Sequence, residues 1–123
     1  MIAYTTVGTN DLPRSASFYD VLFELLGATR AMQESDFIAW AAAPNTPMFS
    51  IHTPADLKEV SVGNGVMIAL AAKDKTQVIA IHKQALKLGA KNEGDPGFRG
   101  DTGFYAAYFR DLDGNKLNIH CMT

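Results

Sequence analysis

One cysteine, Cys121, occurs in 123 residues, which excludes an intramolecular disulfide and any multi-cysteine metal knot. It reads as a buried structural thiol rather than a nucleophile. Charge of one sign is also scarce: 11 Lys and Arg stand against 13 Asp and Glu, for a net charge of −2. With no basic run either, the charge pattern gives no case for nucleic acid. Long hydrophobic runs are missing. FIAWAAAPNTPMFSIHTPA is broken by Pro, Asn and His, and GVMIALAA falls well short of the roughly 20 mainly apolar residues that cross a bilayer. The opening MIAYTTVGTN has neither the basic start nor the apolar core of a signal peptide. The expectation is a cytoplasmic protein without nucleic-acid or membrane partners.

The remainder is ordinary for a globular protein, at 47% apolar and 20% charged residues. The length suits one compact domain, or two small halves that share a core.

The chain is written twice. Asp11 opens DLPRSASFYDVLFELLGA and Asp74 opens DKTQVIAIHKQALKLGA. Each Asp is suited to cap free helix amides, Pro13 lies in a first turn, and Asp74 with Gln77 resembles a capping box. Apolar residues recur at helical steps in Leu12, Ala16, Tyr19, Phe23 and Leu26, and in Val78, Ile81, Ala85 and Leu88. Gly27 and Gly89 follow as left-handed C-caps. Strand-like segments precede the helices at 2–9 and 65–72. Three more follow each helix, at 29–34, 37–42 and 48–53 and at 90–93, 104–110 and 116–121. Turns at PNTP and DLDG separate hairpin strands, and GDPGFRGDTG reads as a glycine-rich loop. The predicted class is α+β: tandem βαβββ repeats, about 1–53 and 65–123, joined by a linker at 54–64.

VGTNDLPRSASFY, the GNG before the fifth strand and YFRDLDGNKL come in an order that resembles the glyoxalase, bleomycin-resistance and extradiol-dioxygenase (vicinal oxygen chelate) superfamily. The resemblance implies paired modules whose sheets curl into an open barrel around a cleft, and often a homodimer. Its metal-dependent members place one ligand on each of four strands, at positions that map here to Tyr4, Ser50, Met67 and Asn118. Such sites use imidazoles and carboxylates. Phenol, hydroxyl, thioether and amide stand here instead, so no metal and no other cofactor is expected.

Strand alternation puts His52 on the face of Ser50 and His120 on the face of Asn118. They offer either a shifted pair of imidazole donors or half-exposed residues bonded to loops. His82, in mid-helix, reads as a surface or boundary residue. Tyr4 and Tyr105 are candidates to stack on a flat ligand, beside Trp40, Phe104 and Tyr108, which read more simply as core. Arg99, in the glycine-rich loop, is the better anion anchor, since Arg110 at a hairpin base suits an ion pair. The favoured function is binding of an aromatic or anionic small molecule without metal. The alternatives are a lactoylglutathione-lyase-like or dioxygenase-like enzyme with non-standard site residues, and a non-catalytic structural or regulatory module.

Overall fold

A computed structural model describes residues 1–123. The chain forms two compact units, 1–61 and 62–123. Unit 1 contains β1 (Tyr4–Gly8), α1 (Leu12–Glu24), β2 (Thr29–Gln33), β3 (Phe37–Ala41) and β4 (Met48–His52). Unit 2 contains β5 (Ile68–Ala71), α2 (Lys75–Lys87), β6 (Lys91–Phe98), β7 (Phe104–Arg110) and β8 (Lys116–Met122). Both units therefore follow the βαβββ order. Their sheets run β1-β4-β3-β2 and β5-β8-β7-β6, with the first and last strands of each unit parallel and the hairpins antiparallel.

Local chemistry sets the helix ends. Asp11 accepts from the Arg14 amide at 3.1 Å, and Asp74 from the Gln77 amide at 2.8 Å. Gln77 reaches back to the Lys73 amide at 2.8 Å, a capping box displaced by one position. At the other end Gly27 and Gly89 have φ of 72° and 105°. The following amides, Ala28 and Ala90, close onto the Phe23 and Ala85 carbonyls, a Schellman motif in both helices.

Each helix buries one face on its sheet. In unit 1, Tyr19 and Phe23 of α1 pack against Trp40 and Phe49, with ring centroids 4.7 to 5.8 Å apart. Ile38, Ile51 and Leu22 complete this core. Trp40 donates its indole N–H to Asp20 at 2.9 Å, and Asp20 also pairs with Arg30 at 2.7 Å. In unit 2, Val78, Ile81 and Ala85 face Ala107, Phe109, Leu117 and Ile119, all fully buried. Cys121 is buried there as a free thiol.

Three sequence expectations need correction. His82 is buried rather than superficial. Its Nε2–H points at the Asn92 amide oxygen and the Tyr108 carbonyl, at 3.1 and 3.2 Å, and so ties α2 to β6 and β7. GDPGFRGDTG is also not all loop, because β6 runs on through Gly94 and Gly97 to Phe98. Its pairing with β7 shifts register between Asn92 and Gly94 and again between Gly94 and Gly97. These bulges absorb Pro96, which has no amide to give to a ladder. The fifth strand, in contrast, is shorter than expected, since Gly65 with φ of 93° lies in a turn before it.

Candidate functional site

In each unit α1 or α2 covers one sheet face, and the side chains of opposite parity form the other, here called the open face. In unit 1 strand register puts Tyr4, Thr6, Ser50, His52, Phe37 and Ala39 on it. In unit 2 it carries Phe104, Ala106, Tyr108, Arg110, Lys116, Asn118 and His120.

The mapped metal positions behave differently from one another. Ser50 is 0% exposed, and its hydroxyl donates to the Thr5 carbonyl at 2.7 Å. Asn118 is 2% exposed and its amide oxygen accepts from His120 Nδ1 at 3.0 Å. Tyr4 is 54% exposed, with its ring edge-on to Phe37 at 6.3 Å. Met67 precedes β5 and is partly exposed. This set does not fit a divalent ion: every donor is neutral, and the hydroxyl and amide are committed within the sheet. Nowhere do three His, Cys, Asp or Glu side chains converge in a way that would hold a metal.

The two histidines are used alike. His52 Nδ1 donates to the Thr53 carbonyl, and its ring sits 5.8 Å from Phe37. His120 Nδ1 donates to Asn118, with its ring 5.1 Å from Phe104. A carbonyl or amide oxygen can only accept, so Nδ1 carries a proton in both. The Nε2 of His52 lies 3.9 Å from the Asp36 carboxylate. His52 also borders a recess of about 350 Å³ lined by Thr6, Gly8, Pro54, Asp56 and Glu59. Segment 54–61 bounds this recess, with Val60 close over Gly8 and its amide held by Asn10 at 2.8 Å.

Unit 2 adds positive charge. The Arg99 guanidinium lies over the Tyr108 ring at 5.2 Å, and the Lys116 ammonium lies over the same ring at 5.6 Å. Arg110 is neutralised by Glu93 at 2.8 Å, as its place at the hairpin base suggested. This guanidinium, bonded to Glu93, lowers that carboxyl from its ordinary value, with smaller help from Lys91 and Lys116. Tyr105 does not join this group. It has the opposite parity on β7 and packs against Phe98 at 5.2 Å, under the Lys75 ammonium of α2. Sequence reading missed Lys116, although alternation from Asn118 along one strand would have found it. It also assigned Tyr108 to core, whereas register with Asn118 puts it on the open face.

The family model described as the Glyoxalase/Bleomycin resistance protein/Dioxygenase superfamily matches residues 1–119. A glyoxalase/bleomycin resistance protein from Albidiferax ferrireducens T118 is 34% identical, with a TM-score of 0.88 over 98% of this chain and 97% of that one. At 18% identity the likeness is of fold alone. A lactoylglutathione lyase from Agrobacterium tumefaciens has a TM-score of 0.68 over 98% of this chain and 92% of its own. The fosfomycin resistance protein FosX from Mesorhizobium loti has a TM-score of 0.73 over 100% and 92%. Among curated proteins none matches. With nearly its whole length matched by the family model, the chain belongs to the glyoxalase/bleomycin resistance protein/dioxygenase superfamily.

Proposed function

We propose that this protein binds a small molecule on the open faces of its sheets, without a metal ion, and that it does so as a homodimer. The observation that carries the reading is the Asn118–His120 pair. Where metal-dependent members need an anionic or imidazole ligand, an amide is spent on orienting a histidine. His120 then offers a lone pair at Nε2 beside the Phe104 ring, a hydrogen-bond acceptor next to a stacking surface. In unit 1 His52 likewise sits beside a ring, Phe37, but with the Asp36 carboxylate near its Nε2.

The same observation favours one second reading, a metal-independent enzyme. An imidazole whose Nδ1 proton is held by an amide presents the nitrogen that takes a proton in general base catalysis. The test is a thermal-shift screen of aromatic compounds and glutathione adducts on chelator-treated protein, followed by turnover assays on every hit. Binding without turnover is expected. Shifts that appear only when nickel, zinc or iron is restored would reject the metal-free reading, and enzymatic conversion of a hemithioacetal would favour the enzyme.

A further inference from the structure

We infer that the open face of unit 2 holds a small-molecule oxyanion, a carboxylate or phosphate-type group, at Arg99 and Lys116, the two cations that flank the Tyr108 ring. This rests on the small-molecule reading and names the ligand's chemical class.

Arg99 uses two donors locally, to the Gly97 carbonyl at 2.9 Å and the Asp95 carbonyl at 2.8 Å. A guanidinium has five N–H donors, so most of its edge is left for another acceptor. Those carbonyls orient the group without cancelling its charge. The Asp95 carboxylate is occupied by the Asn92 amide at 2.7 Å, and Glu93 is engaged with Arg110. Lys116 makes no ion pair and contacts the Tyr108 ring. It also acts at longer range on the Glu93 carboxylate, together with Lys91. Two cations thus share one aromatic ring, and none of the carboxylates around them is bonded to either.

The backbone beneath is cleared for this arrangement. A Cβ at Gly94 would lie 3.1 Å from both Arg99 Nη2 and Tyr108 Cδ1, and one at Gly97 would lie 3.3 Å from Arg99 Nη1. A side chain at either position would force the guanidinium to give way by about a few tenths of an ångström. Arg offers the planar fork that matches an oxyanion, and Lys adds a point charge.

The test is calorimetric titration with benzoate and phenylphosphonate, with benzyl alcohol as the neutral control. Binding of the anions should exceed that of the alcohol and weaken as salt is raised. Arg99→Gln and Lys116→Gln should each weaken it about tenfold, the loss of one charge-assisted contact. Because Arg99→Gln also removes bonds to the β6 carbonyls, Lys116→Gln keeps the comparison interpretable, with thermal melts confirming that both variants fold. Anion binding unchanged in the double variant overturns the inference. Preference for benzyl alcohol also overturns it, but leaves the small-molecule reading standing. Failure of all three probes overturns it as well, and the wider thermal-shift screen then decides the small-molecule reading by itself.

Discussion

His120 and Asn118 are bonded side chain to side chain, Nδ1 to Oδ1 at 3.0 Å, two residues apart on one face of β8. The amide is buried and the ring is half-buried, so the inner partner sets the orientation of the outer one.

The first prediction concerns that orientation. In nitrogen-correlated NMR at alkaline pH, the His120 ring should show the Nδ1-protonated tautomer. Asn118→Leu should release it towards the Nε2-protonated form. An Nε2-protonated ring in the unmodified protein would remove the outward-facing acceptor on which the proposed function relies.

Asp20 sets a pH dependence. The hydrogen bond from Arg30, aided by Trp40 and by the Arg30 charge, holds its carboxyl below the ordinary 3.8 despite burial acting the other way. A depressed folded-state value means stabilisation that is complete above about pH 3.8 and is lost as pH falls through the lowered value. Asp20→Asn should therefore melt below wild type at neutral pH, with the gap closing as the solution is acidified beneath that point. A gap that stays constant down to the acid limit would show that the ion pair contributes nothing.

Phe23 is the aromatic hinge of the unit 1 core, touching Tyr19, Trp40 and Phe49. Phe23→Ala should lower the unfolding free energy by about 3–5 kcal/mol, as large-to-small changes in packed aromatic cores do. Urea denaturation checks this; a loss below about 1 kcal/mol would mean that the site collapses freely around the missing ring.

How much of this was legible depended on how local the cause was. Helix limits were readable because Asp11, Asp74, Gly27 and Gly89 act on amides and carbonyls within one turn. The run through Gly94, Pro96 and Gly97 was misread because its composition favours a turn, while pairing with β7, a tertiary effect, holds it as a bulged strand. Tyr105 and Tyr108 look equivalent in sequence. Only their register against Cys121 and Asn118 separates the helix-facing ring from the open one. His82 was misjudged because its partners, Asn92 and Tyr108, lie on other strands.

Oligomeric state is the fourth prediction. Tyr4 and Ile2 lie exposed along the β1 edge, and Val66 and Met67 beside β5. Exposed apolar residues along an unpaired sheet edge are a surface that proteins cover. Sedimentation at micromolar concentration should give a dimer, and a monomer there would contradict the proposal.

The glycines of β6 have a consequence for local stability. Each glycine within a strand gives up about 0.5–1 kcal/mol relative to alanine through backbone freedom. The bulges at Gly94 and Gly97 leave further amides outside the regular ladder. The strand that clears room for Arg99 is thereby expected to open ahead of β7 and β8, with its amides exchanging sooner in hydrogen–deuterium exchange. Replacing Gly94 with alanine would trade in the opposite direction, stiffening the strand while crowding the guanidinium. Robustness and ligand access are set against each other at a single backbone position.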